Sequence, residues 1–289
     1  MNNNLGVMQG RLLPKYQGRY QAHPVGRWRD EFMIAQALGL SLIEFILDYD
    51  PDERNPLLHE GGIAEIQAVS EQSGVAVKTV CADYFMEIPL HSEDDETAAE
   101  SGRILARLLK SAGILGVTDI IIPCVDQSAL HNEADIGRLL RNIGPVRDLA
   151  EKLAIHLALE TDLPPHRFLT LLETLDSQIF TVNYDTGNSA ALGYNPADEL
   201  AAYGRRISDI HLKDRLRGGP SVELGKGDTD FDNFFAALAR IDYTGPFIMQ
   251  AYRDDEGVTI FKKQMEWMVP RLNRWIGPNT AHPHGNDDP

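Results

Sequence analysis

Four apolar runs in the second half of the chain each stop at a side chain able to bind a metal. Ile155–Leu159 ends at Glu160, Phe180–Tyr184 at Asp185, Ile207–Ile210 at His211 and Pro246–Met249 at Gln250. Alone, any one of these reads as a hydrogen-bonded or solvated strand end. Four in succession, each placed where apolar character stops, read as a site. Two carboxylates, an imidazole and an amide carbonyl around one point make a mostly oxygen donor set of net charge about −2. That set suits one divalent metal ion, Mn2+, Mg2+ or Co2+, rather than a structural zinc.

Basic residues near these positions are few. Lys213 stands two residues beyond His211, so strand alternation puts it on the same inward side. It reads either as a contact to substrate or to a reaction intermediate, hence a catalytic candidate, or as the partner of a rim carboxylate such as Asp185. Arg215 and Arg217 continue that loop, and Lys226 sits between Gly225 and Gly227; any of them could meet a phosphate or carboxylate end of a substrate. Arg215 is carried as a substrate-binding candidate against the plainer reading of a solvated loop charge.

At the start of the chain Gln9, Gly10 and Arg11 follow the first apolar run and open a long loop to Pro24. With Tyr16, Tyr20, Gln21 and His23 on it, this loop reads as a lid, and Arg11 as a substrate-binding candidate. Glu44, inside the run LIEFIL, and Asp83, after the third run, face the same rim and are further substrate-binding candidates. Glu44 has two plainer readings, a pair with Arg11 or a hydrogen bond to a neighbouring strand. His156 lies near the beginning of its run and reads as a satisfied structural histidine.

Such residues need strands to present them. Strand-like runs occur at Asn4–Met8, Leu42–Leu47, Ala76–Cys81, Asp119–Cys124, Ile155–Glu160, Phe180–Tyr184, Ile207–Leu212 and Pro246–Ala251. Helical periodicity fills the intervals at Trp28–Leu38, Ile63–Gln72, Glu96–Ala112, Glu133–Leu153, His166–Leu175, Pro196–Tyr203, Asp230–Arg240 and Val258–Trp275. Eight strands alternating with eight helices predict a single α/β domain, the (β/α)8 TIM barrel, whose chemistry gathers at the C-terminal strand ends. Ser70–Gly74, Ala112–Gly116 and Tyr243–Gly245 read as helix-to-strand returns in which glycine supplies a left-handed cap. A doubly wound open sheet would carry a glycine-rich phosphate loop after its first strand, and Gly6–Gly10 (GVMQG) lacks that spacing. The barrel is expected over residues 1–276, followed by a disordered polar tail, 277–289, in which His282 and His284 belong to a frayed end.

Composition limits the partners. Lys and Arg number 27 and Asp and Glu 43, a formal charge of −16, so no nucleic acid partner is expected. Cys81 and Cys124 both follow apolar runs, as buried free thiols do, which points to a reducing compartment. No run approaches the length of a spanning helix and the start lacks a signal-peptide layout. No membrane association, a cytoplasmic location and compatibility with a homo-oligomer are therefore expected.

Several segments carry a resemblance in order: Leu157–Asp162 (LALETD), Tyr184–Asn188 (YDTGN), Asp209–Arg215 (DIHLKDR), Leu224–Phe231 (LGKGDTDF) and Gly245–Tyr252 (GPFIMQAY). Over about residues 5–275 the chain resembles the sugar isomerase and epimerase superfamily of xylose isomerase-like TIM barrels. The superfamily includes ketose epimerases, hydroxypyruvate isomerase and inosose dehydratase, with apurinic endonucleases as distant relatives. The resemblance implies a small-molecule carbohydrate substrate and one divalent metal held by Glu160, Asp185, His211 and Gln250, stabilising an enediolate. Ketose epimerases of this kind place a second glutamate where Gln250 stands, and an amide accepts no proton near neutral pH. One-base chemistry then leads, an isomerisation of a sugar or sugar phosphate with Glu160 as base; the alternatives are an epimerase or a dehydratase of the same superfamily, or a catalytically silent carbohydrate-binding or partner protein. Asn188 stands where this superfamily often has a histidine and is carried as a substrate-binding candidate. Only His211 among the histidines ends a strand, which excludes the multi-zinc nuclease arrangement.

Overall fold

A computed structural model describes residues 4–276; the expected tail from 277 to 289, with its two histidines, lies outside the described residues. Branched aliphatic residues set the strands, because such side chains pack well on a pleated surface covered on both sides. The strands are β1 (Leu5–Met8), β2 (Leu42–Ile46), β3 (Thr79–Cys81), β4 (Asp119–Cys124), β5 (His156–Thr161), β6 (Phe180–Asp185), β7 (Ile207–Leu212) and β8 (Phe247–Met249). They close in sequence order into one parallel barrel, β1 pairing with both β2 and β8. This is the (β/α)8 TIM barrel that the alternation predicts.

The helices are α1 (Trp28–Ala37), α2 (Glu60–Ser73), α3 (Tyr84–Glu87), α4 (Asp95–Leu115), α5 (Glu133–Ile143), α6 (Arg147–Leu153), α7 (Pro165–Glu173), α8 (Thr186–Leu192), α9 (Pro196–Tyr203), α10 (Phe231–Leu238) and α11 (Val258–Ile276). The single helix expected over Glu133–Leu153 is broken by a 3-10 turn at Gly144–Val146, where Pro145 has no N–H to continue the ladder. The third strand is shorter than expected, with Ala76 making only an isolated bridge to Leu42. Two short helices absent from the sequence reading, α3 and α8, occupy the loops that leave β3 and β6 at the C-terminal rim.

Gly74 and Gly116 cap α2 and α4 in the left-handed region, φ 70° and 71°. At the third expected return the left-handed residue is Asp242 (φ 52°), not Gly245. Gly245 is required for another reason: a Cβ there would lie 2.5 Å from the Ser208 carbonyl oxygen.

Strand alternation separates two cores. Outward residues such as Ile43, Phe45, Ile120 and Ile122 pack against the helices. Inside the barrel, Met8, Ile46, Cys81, Ile121, Ala158 and Ile248 form a separate buried cluster, so the barrel is a filled core and not a pore. Among the described residues no helix is long and apolar enough to cross a membrane.

Candidate active site

The centre of the site is His211, fully buried near the end of β7. Its Nε2 lies 2.8 Å from Oε1 of Glu44 on β2. A carboxylate accepts only, so Nε2 carries the hydrogen and donates it. The other nitrogen, Nδ1, is 3.7 Å from Glu160 Oε2 and 3.8 Å from Asp185 Oδ2. One ligand atom from each of these three residues lies within 4.8 Å of the others. Ligand bonds of about 2.0–2.6 Å put donors up to about 5 Å apart, so the set fits one divalent cation.

Each ligand is oriented by its neighbours. Glu160 Oε1 accepts from Asn188 Nδ2 at 2.5 Å and its Oε2 from Asn183 Nδ2 at 2.7 Å. Asp185 ends β6 and caps α8: its Oδ1 accepts the backbone N–H groups of Gly187 and Asn188, both at 2.8 Å. That leaves Oδ2 for Lys213 Nζ, 3.3 Å away, and for the histidine. Lys213 comes this close because residue 187 is glycine; a Cβ there would lie 2.7 Å from Lys213 Cγ.

The charges are strongly coupled. Burial first, then the nearby Asp185 charge, pushes Glu160 above the usual carboxylate range. Burial alone would raise Asp185 too, but the Lys213 ammonium and His211 outweigh it and hold it low. Burial would lower His211; the Glu44 carboxylate outweighs that and keeps it well above its ordinary value. Asp209, two residues before His211 and 3.7 Å from its Nε2, is pushed well above the usual carboxylate range by burial and by the Glu44 charge. Glu44, Asp209 and His211 form a second convergent acidic set. Neither Glu44 nor Asp209 lines the cavity described next, whereas Glu160 does.

A cavity of about 230 Å³ opens at the rim; Gln21, Asp83, Glu160, Asn188, Lys213 and Gln250 all line it. Gln250 Nε2 donates to Gln21 Oε1 at 3.1 Å, and its own Oε1 is buried without a partner. The sequence predicts this amide as a fourth metal donor, and Gln250 lines the same cavity as Glu160. Asp83 accepts from Gln21 Nε2 and, at 3.2 Å, from Cys81 Sγ. The long loop after β1 is pinned by ion pairs of 3.0 Å from Lys15 to Asp255 and from Arg19 to Asp48. It is Gln21 and Arg19 of this loop that enter the cavity wall.

The sequence-expected residues therefore divide. Glu160, Asp185 and His211 converge, and Lys213, Asn188, Gln250 and Asp83 surround the cavity. Glu44 sits beneath His211 and pairs with it rather than with Arg11, and it does not line the cavity. Arg11 is buried and does not line the cavity: its Nε donates to the Ala251 carbonyl at 2.9 Å and its Nη2 to Gln21 at 2.8 Å. Arg215 Nη1 donates to Asn188 Oδ1 at 2.8 Å, and the same oxygen accepts from Lys213 at 3.1 Å. His156 is the structural histidine expected, 3.0 Å from Asp119.

Sequence reading passed over Asn183, Asp209 and Asp214. Asn183 stands two residues before Asp185 and Asp209 two before His211, so alternation already put both on the inward side. Asp214 lies in the DIHLKDR segment. Its buried carboxylate accepts from the backbones of Gly225, Gly227 and Thr229 at 2.8, 2.9 and 3.1 Å. It thereby shapes the LGKGDTDF loop, whose Gly227 has no room for a Cβ against Asp214.

A family model described as xylose isomerase-like TIM barrel matches residues 32–271. Over 267 residues the chain is 27% identical to an L-ribulose-5-phosphate 3-epimerase of Salmonella paratyphi C, covering 87% of this chain and 93% of that one. Among solved structures it is similar to D-psicose 3-epimerase with D-tagatose from Clostridium cellulolyticum H10. The TM-score is 0.73 at 15% identity, over 94% of this chain and 99% of that one. It is also similar to a xylose isomerase-like TIM barrel protein from Mycobacterium smegmatis in complex with magnesium. There the TM-score is 0.69 at 19% identity, over 93% and 96% of the two chains. At these identities the two structures share the fold.

Proposed function

We propose, for a chain that belongs to the xylose isomerase-like TIM barrel family, a metal-dependent sugar isomerase or epimerase in which Glu160 takes a proton from the carbon next to a carbonyl. The observation that carries this reading is that, among the described residues, Glu160 is the carboxylate that both lines the cavity and converges with Asp185 and His211. A divalent cation held by Glu160, Asp185 and His211, with the Gln250 amide oxygen beside them, would supply Lewis-acid stabilisation of the charge that develops on the sugar oxygens.

The protein's own residues do the rest. Two amide N–H donors, from Asn183 and Asn188, fix both oxygens of Glu160, so the base meets the carbon without a search over rotamers. As the C–H pair becomes the double bond of an enediolate, the proton rests on Glu160. Lys213 commits two of its three N–H donors to Asp185 and Asn188 and keeps one for a sugar hydroxyl. Arg215 and Arg11 act through Asn188 and Gln21 as positioning residues.

The charge on the cavity wall narrows the substrate. Its two cations are Arg19 and Lys213, already paired with Asp48 and Asp185, while Asp83, Glu87 and Asp126 also face the space. A phosphate dianion would meet more acid than free base, so a free ketose is the favoured substrate, although the curated relative is named for a phosphorylated one. The two cysteines are free and buried, in keeping with a cytoplasmic setting. Metal analysis of the purified protein, then turnover of free D-tagatose, D-fructose and L-ribulose against L-ribulose 5-phosphate, tests the reading. Glu160→Gln should lower turnover by at least about a hundredfold, and undiminished turnover by that variant would overturn it.

A further inference from the structure

Gln250 cannot carry a proton, and its hydrogen bonds lead to a side chain that can. Gln250 Nε2 donates to Gln21 Oε1 at 3.1 Å, and Arg11 Nη2 donates to the same oxygen at 2.8 Å. With its oxygen taken by two donors, the Gln21 amide must turn its NH2 outward, and that NH2 donates to Asp83 Oδ2. Cys81 Sγ holds the other carboxyl oxygen at 3.2 Å. A carboxylate at position 250 has no N–H to give and would oppose the Gln21 oxygen, so this chain of contacts requires the amide.

Asp83 is partly buried and lines the same cavity as Glu160. The two approach from different strand ends, Asp83 from the turn after β3 and Glu160 from β5, with Pro123 and Val125 of the β4 end also on the wall. Among the described residues no cation forms an ion pair with Asp83. Burial raises its carboxyl above the usual range, against the hydrogen bonds from Gln21 and Cys81.

We infer that Asp83 is the second proton-transfer group of this site, acting on the face of the ketose carbon opposite Glu160, and that Gln250 and Gln21 position it. The inference rests on the enolisation reading above. Glu160 removes the proton from the carbon, the C–H electron pair becomes the enediolate double bond, and the carbonyl pair moves to oxygen. Asp83, as the acid, gives its proton to the other face; the double-bond pair forms the new C–H bond and the carbonyl returns. Glu160 ends protonated and Asp83 ionised, and exchange with water resets both. The product is the epimer at that carbon.

The test is proton NMR in D2O with the full chain loaded with Mg2+ and free D-tagatose, D-fructose or L-ribulose as probe. The unaltered protein should form an epimer carrying solvent deuterium. Asp83→Asn should lose epimer formation by at least about a hundredfold while still exchanging deuterium into the ketose whose proton faces Glu160, within about threefold of the unaltered rate. Glu160→Gln should lose that exchange. Gln21→Met should lower kcat for epimer formation more than it raises KM, with exchange at Glu160 retained. Epimer formation at the unaltered rate by Asp83→Asn, or exchange without any epimer in the unaltered protein, would overturn the role of Asp83 and leave Glu160 standing. No exchange into any probe would overturn the Glu160 reading and this one with it.

Discussion

Glu44 does not line the cavity, yet it should control metal affinity. Its carboxylate lies 2.8 Å from His211 Nε2, and both side chains are fully buried. It fixes the ring with Nε2–H below and turns Nδ1, 3.0 Å from Asn183 Nδ2, toward Glu160 and Asp185. Glu44→Gln keeps an acceptor of the same shape and removes the charge. Losing such a carboxylate behind a metal-binding histidine costs about 10–100-fold in affinity, which is about 1.4–2.7 kcal/mol. The sign of the pH dependence follows from the same contact. Glu44 also raises the affinity of His211 for a proton, and that proton competes with the metal. At low pH the substitution therefore weakens both competitors and its net effect is small; the loss should grow as pH rises. Competition against a chromophoric chelator at several pH values measures this, with the melting temperature of the metal-free protein as control. Glu44→Ala is the wrong probe, since stranding a buried partner costs about 3–5 kcal/mol of stability. An affinity for Glu44→Gln equal to the unaltered protein's at high pH would refute the reasoning.

Glu31 is buried at the base of the long loop, its carboxylate accepting the Gly10 and Leu12 N–H groups, and burial pushes it from 4.5 to about 7. The folded state thus holds a proton that the unfolded chain has released, so this group costs stability progressively as pH rises from about 4.5 to about 7, up to about 3 kcal/mol. Urea unfolding of Glu31→Gln across that window should show a flatter pH dependence; parallel curves would contradict it. Gly187→Ala drives a methyl into Lys213 and should cost about 1–3 kcal/mol together with weaker metal binding. Gly61→Ala, with open space around it in α2, should be neutral or stabilising by up to about 1 kcal/mol, and equal melting temperatures for the two variants would refute the packing argument.

The fold was legible because a barrel of this kind is assembled from local signals. Each apolar run, each intervening helical period and glycine caps such as Gly74 and Gly116 can be read within a window of a few turns. The ends of runs were equally legible, and that sufficed to bring Glu160, Asp185 and His211 together. Pairings across the barrel were not. Glu44 and His211 are 167 residues apart, and nothing local distinguishes a carboxylate that orients a histidine from one that meets substrate. Arg11 was misleading for a related reason. A positive charge at a rim invites an anionic ligand, but this guanidinium is turned to the Ala251 carbonyl and to Gln21, where it holds the long loop against the end of β8.

Position 250 shows why residue-by-residue reading of a site stops short. Taken alone, an amide at the end of β8 reads as the loss of a proton carrier. Barrel closure places β1 beside β8, which brings the loop after β1 over the ends of its neighbours and lets Gln21 bridge Gln250 and Asp83. The three residues come from three separate segments, and their relation appears only when the sheet closes. The donor capacity of Gln250 is then as specific a requirement as the missing acidity. Gln250→Glu puts a carboxylate against the Gln21 oxygen and should disturb Asp83, lowering epimer formation rather than improving it. A gain of epimer formation from that single change would mean that the β8 position, not Asp83, is where the second proton is handled.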